Sequence, residues 1–278
     1  MAHHMPEYGH VVGSGFLEVL LPALALTAAV GVYLLLAHRA RRRNPALGWS
    51  RWRTAGFATA MALLGVALLP PVALFAHGDF RGHMAQHMLI GMYAPLALVL
   101  AAPVTLLLRV LPAARGRRLT AVLHSPPARF IAHPVVALAL SAGSLVVLYF
   151  TPLYNTTMDN PAGHWLLHAH FLLSGSLFAY VMAGPDPAPS RPGVRARLIY
   201  LGVAVAAHAV ISQLIYGGFW VDIYAPIEQV RGGAQIMYYG GDIAELLLAA
   251  ALVATWRPDH RRPTARGLIT PRESSASA

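Results

Sequence analysis

His83 and His87, and again His164 and His168, stand four residues apart inside segments otherwise apolar enough to cross a bilayer. His208 lies midway along another such segment. Residues four apart project from one face of a helix, so each pair can converge on a common point, whereas His170 points elsewhere. An ionisable side chain inside a membrane is costly and by default marks a function. Imidazole suits zinc, copper, iron and nickel, while a thioether selects the softer Cu(I). Met84, Met88 and Met92 make a second stripe, rotated by about 100° from the histidine face. His83, His87, His164 and His168 are therefore the primary candidate metal ligands. His77 and His208 are further candidates, and Met84 and Met88 soft auxiliary ones. Asp242 and Glu245 either orient histidines from outside the coordination sphere or neutralise Arg81 or Arg231. The plainer alternatives are histidines that only hydrogen-bond across helix interfaces and methionines that fill gaps in packing.

Composition narrows the chemistry. Of 278 residues, 56% are hydrophobic and only 12% charged, against about 25% charged in a soluble domain. The chain reads as one all-α membrane bundle. There is no cysteine, which excludes disulfides, thiolate metal sites and CxxC redox chemistry. All 21 basic residues are arginine, so a retinal Schiff base on lysine is excluded as well. The formal charge of +10 does not call for nucleic acid, because the arginines cluster between the apolar runs. That pattern is a topology signal and a contact with anionic lipid. Histidine and methionine without cysteine favour copper, as Cu(I), over zinc or iron.

Seven spans are predicted to position these residues, at about Phe16–His38, Thr54–Ala76, Met84–Val110, His133–Thr151, Ala162–Ala183, Ala196–Gly218 and Gln235–Trp256. They form a transmembrane domain over residues 16–256, preceded by a short segment 1–15 and followed by a basic, disordered tail 257–278. The first span is not a cleavable leader, since no basic residue precedes it. Pro70, Pro71, Pro95 and Pro103 fall within spans and predict bends, above all in the long third one. Nineteen of the arginines lie in alternate loops and in the tail, leaving only Arg81 and Arg231 on the other side. The positive-inside rule then puts the N-terminus outside and the C-terminus in the cytoplasm of a bacterial plasma membrane. On that topology His77, His83, His87, His164, His168, Glu18, Asp242 and Glu245 all fall in the outer half, and His208 near the midplane. His3 and His4 are outside too. With Met1 removed, His4 would become the third residue of a terminal Cu(II)-binding motif.

The run His83-Met-Ala-Gln86-His87-Met-Leu, with Ala94-Pro95, Ala102-Pro103 and Leu108-Arg109 after it, resembles the CtaG family of cytochrome c oxidase assembly factors associated with caa3-type oxidases. So do His133-Pro134, Pro152-Leu153-Tyr154, His164-Trp-Leu-Leu-His168, Phe171-Leu-Leu-Ser-Gly175 and Gly184-Pro185-Asp186-Pro187. Glu228-Gln229, Gly232-Gly233 and Ile236-Met237-Tyr238-Tyr239-Gly240 resemble the family's opening of the last helix, although aspartate and tryptophan are commoner there than Glu228 and Tyr239. The resemblance spans about residues 15–256. It implies a seven-helix protein, not an enzyme, that helps copper reach the oxidase, with oxidase subunits or other copper-delivery proteins as partners. A cysteine-dependent copper chaperone shares the family's name, but its mechanism does not transfer to a chain without cysteine. Two other readings are a haem b electron carrier with bis-histidine ligation and a copper or proton transporter. The first is disfavoured because paired histidines on one helix do not give opposed single ligands. The second is disfavoured because the inner halves of the spans hold almost no polar residue.

Overall fold

The computed structural model describes residues 9–188 and 191–256, residues 9–18 as backbone alone. Helices α1 (Gly9–Arg43), α2 (Arg51–Leu68) and α3 (Val72–Gly78) lead into a long, interrupted α4 (Phe80–Val110). Two short helices, α5 (Ala113–Leu123) and α6 (Pro126–Ile131), precede α7 (Pro134–Tyr149). The short α8 (Leu153–Met158) is followed by α9 (Pro161–Ala183), α10 (Val194–Gly217) and α11 (Ile227–Ala254). No strand occurs among the described residues. The terminal segments that carry His3, His4 and the tail arginines lie outside them.

Several starts are written locally. Pro126, Pro134 and Pro161 each stand at the first turn of a helix, where a missing N–H costs nothing and a fixed φ helps. Asn160 caps α9 by accepting from the Ala162 N–H at 2.9 Å, and Asp79 caps α4 by accepting from Arg81 N–H at 2.8 Å. The Arg81 guanidinium also hydrogen-bonds the Asp79 carboxylate and holds it below the ordinary carboxylate range.

Five helices are long and apolar enough to span a bilayer: α1 from Val19, α4, α9, α10 and α11. A sixth span is formed if α2 and α3, bent by 44°, are counted together. The predicted fourth span becomes α7, shorter than the roughly 20 residues a full crossing needs. The predicted second span breaks at Leu69, which turns extended (φ −110°, ψ 158°) ahead of Pro70-Pro71, as sterics before proline require. Large apolar side chains such as Leu35, Leu166, Leu173, Leu246 and Val253 point outward, and polar ones point in. That is the inverse of a soluble surface.

α4 is the central element. It packs against α2, α9 and α11, and its last turns also meet α1. Its predicted bend appears as two irregularities. Residues Leu89–Tyr93 form a π-turn in which the Ala94 N–H bonds Leu89 O, five residues back, just before Pro95, which has no N–H to give. The helix then stops at Ala102, in the left-handed region (φ 53°), and restarts at Pro103. The restart is capped from another element. Buried Asp186 accepts from the Val104 N–H at 3.0 Å and the Thr105 N–H at 2.8 Å. The Gly184-Pro185-Asp186-Pro187 motif thus locks the end of α4 opposite the histidine-rich end.

The opened turn also sets how closely α9 approaches. A Cβ on Gly175 would lie 1.9 Å from Gly91 O, so only glycine admits this contact. Gly175→Ala is expected to force α4 and α9 apart at a cost of about 1–3 kcal/mol. A lowered unfolding midpoint in detergent would show it. Gly202→Ala, where an added Cβ meets nothing within 4 Å, should leave the midpoint unchanged or raise it.

Candidate functional site

Four residues along a helix amount to a rise of about 6 Å and a turn of about 40°. His83 and His87 accordingly meet different neighbours at different depths, whereas the rings of His164 and His168 stay together. His83, Tyr149 and Tyr154 pack together, with the His83 and Tyr154 rings 4.9 Å apart. The Tyr149 hydroxyl lies 3.2 Å from His83 Nε2 and 3.6 Å from Met84 Sδ. His87 sits one turn deeper, edge-on to Phe171 at 4.3 Å. His164 and His168 meet edge-on toward the other side, with ring centroids 4.2 Å apart, and His164 meets His77 at 4.9 Å. His164 and His168 come together as their spacing predicts, whereas His83 and His87 do not meet at one point. Among the described residues no group of three or more His, Cys, Asp or Glu side chains is arranged to hold a metal ion.

The histidines instead divide between two cavities. A vestibule of about 740 Å³ at the start of α4 and α9 is lined by His77, His164, His168 and Gln86, with Asp79 and Tyr154 among its walls. His77 is exposed there, whereas His164 and His168 are largely buried. A second, smaller chamber of about 60 Å³ lies deeper, bounded by His87, His208 and Glu245 together with Met92, Ser141 and Ser174. Both ring nitrogens of His87, both of His208 and one carboxylate oxygen of Glu245 are buried there with no hydrogen-bond partner. Buried polar atoms of this kind are seldom left unmatched. Five of them are gathered around this one cavity. The His170 ring lies 6.2 Å from that of Phe171.

The remaining candidates take other places. Met84 and Met88 sit on the seam with α11, within contact distance of a Cβ built on Gly233 and on Gly240. The π-turn takes Met92 off their stripe and onto the deep chamber. α11 begins at Ile227, about two turns before the predicted Gln235, with Pro226 as its cap and Glu228 in its first turn. Asp242 and Glu245 consequently lie farther along this helix than the sequence suggested. Neither neutralises Arg81, whose carboxylate partner is Asp79. Arg231 instead lies over the Tyr216 ring at 5.8 Å.

Two buried polar residues escape a search for histidines and carboxylates: Gln86, 1% exposed, and Tyr149, fully buried. The Gln86 amide donates to Ala67 O at 2.9 Å, and its Oε1 meets His168 Nε2 at 3.0 Å. The available signal was an amide and a phenol in apolar segments, where unpaired polar groups are expensive.

A bundle of apolar helices that seats imidazoles in a vestibule and in a chamber beneath it is a multi-pass membrane protein with its polar side chains gathered between the helices. The chain belongs to the cytochrome c oxidase caa3 assembly factor family, Caa3_CtaG, whose family model matches residues 31–259. Uncharacterized proteins of Mycobacterium bovis and Mycobacterium tuberculosis are each 31% identical over 280 residues, covering 94% of this chain and 42% of their own length. One from Mycobacterium leprae is 32% identical over 265 residues, covering 88% of this chain and 40% of its own. The chain thus spans about two fifths of the length of the curated relatives it matches. No solved structure matches it.

His208 depends on one backbone position. A Cβ on Gly241 would lie 2.1 Å from its Cε1. Gly241→Ala is expected to rotate the imidazole out of the chamber, shifting the His208 ring resonances in NMR of ¹⁵N-histidine-labelled protein while leaving those of His77 and His164 in place.

Proposed function

We propose that this protein is a non-catalytic assembly factor that carries copper as cargo and passes it to a caa3-type oxidase subunit, or to another copper-delivery protein, within the bacterial plasma membrane. Family membership supports the oxidase setting. The observation that carries copper handling is that His87 and His208, whose imidazole nitrogens are all unpartnered, line one chamber in a chain without cysteine. Two imidazoles with a thioether, Met92, in the same wall suit Cu(I), which takes soft ligands, better than zinc. His77, His164 and His168 supply a second group of imidazoles at the more open end, with His83 between the two levels. Met92 lines the deep chamber, a soft donor position beyond Met84 and Met88.

The arginine distribution supports an extracytoplasmic vestibule. Copper would enter there and leave toward a metal centre just below the outer surface.

Protein purified from copper-supplemented cells should retain copper. His87→Ala/His208→Ala and His164→Ala/His168→Ala should each lower the retained amount, and combining them should abolish it. Equal copper in wild type and the combined variant would overturn the proposal. A deletion strain should lose cytochrome c oxidase activity and the copper content of the oxidase, both restored by wild type and not by the combined variant.

A further inference from the structure

The most constrained polar contact in the vestibule is between Gln86 and His168, and its polarity follows from elementary chemistry. Ala67 O is a carbonyl oxygen and can only accept, so the Gln86 atom 2.9 Å from it must be the amide nitrogen. The atom that faces His168 is then Oε1, which also can only accept. His168 Nε2, at 3.0 Å, must therefore carry the proton. In a neutral imidazole the other nitrogen is then unprotonated. That atom, Nδ1, is buried and has no partner. His77 shows the opposite choice: its Nδ1 lies 2.6 Å from Ala73 O and must donate, which leaves Nε2 as the free atom.

We infer that Gln86 is a positioning residue that fixes His168 in the Nε2–H tautomer, so that His168 offers Nδ1 to a metal ion. Metal-binding histidines commonly donate their second ring N–H to an oxygen, which sets both tautomer and ring orientation. Gln86 supplies that oxygen from one element, α4, while Ala67 on α2 holds the amide against flipping. The ligand atom on α9 is thus set by three helices at once. The metal part of this inference rests on the copper reading above; the tautomer does not.

The test uses the intact, metal-free protein in detergent, labelled with ¹⁵N-histidine. Long-range ¹H–¹⁵N correlations distinguish protonated from unprotonated ring nitrogens, and His168→Asn assigns the signals. Wild type should show His168 protonated at Nε2 and bare at Nδ1. On addition of Cu(I), the Nδ1 resonance should move while Nε2 keeps its proton. Gln86→Leu should erase the single-tautomer pattern and weaken Cu(I) binding by about 10–100-fold in chelator competition. Gln86→Glu, which keeps an oxygen toward His168, should restore the Nε2–H pattern. A proton on Nδ1 in wild type, or a Gln86→Leu protein with unchanged tautomer and affinity, would overturn the inference. The wild-type spectrum decides the tautomer even if a variant fails to fold. If wild type shows the expected tautomer but binds no Cu(I), copper carriage and ligation through Nδ1 both fail, and the positioning of His168 by Gln86 stands.

Discussion

Inside a bilayer no water is at hand to satisfy a polar group, so each one must find its partner within the bundle or hold a ligand. That constraint organises the interior of this protein. Gln86 bridges Ala67 O and His168, the Tyr149 hydroxyl lies against both His83 and Met84, and His77 donates to the carbonyl one turn back. Three of the six candidate histidines are thereby tethered through one ring nitrogen. His87 and His208 are not: both line the deep chamber beside Glu245, and none of their four nitrogens has a partner. The contrast separates imidazoles with a set orientation from imidazoles that depend on something else to complete them.

The same constraint acts through the backbone of α4. Pro95 removes a donor, and the preceding turn widens so that the Ala94 N–H reaches Leu89 O. Irregular backbone at membrane depth is tolerated where it is buried in protein, and here α9 covers it, with Gly175 seated against Gly91 O. The widened turn begins two residues after His87 and brings Gly91 and Met92 to the wall of the chamber. A second break, at Ala102, is stabilised by Asp186 from the loop after α9. Motifs that looked alike in the sequence therefore serve different ends: the first proline interruption shapes the cavity, and the second terminates the helix.

Glycine supplies the close approaches that the histidines need. α11 comes near enough to α4 and α10 that Cβ atoms at Gly233 and Gly241 would collide with Phe80 and with His208. Without a hydrophobic driving force between helices in lipid, such small residues let backbones approach and van der Waals contacts form. The aligned glycines of α11 are thus part of the site, although they carry no chemistry.

The sequence by itself established the helical membrane class, the exclusion of thiolate and Schiff-base chemistry, the presence of expensive histidines, and the bends at proline. Each of these follows from composition or from local steric rules that need no partner. The start of the last helix was misjudged because apolarity marks only its lipid-facing part, whereas Pro226 and Glu228 begin it earlier. What required the tertiary structure was which imidazole faces which. Spacing of i and i+4 gives one helix face, but the 6 Å between levels and the neighbours at each level are set by the packing of other helices. Hence His83 meets Tyr149, His87 meets the chamber shared with His208, and His164 meets His77. Gln86 also acquires its meaning only there, because a neutral amide signals nothing until a carbonyl on one side and an imidazole on the other fix its direction.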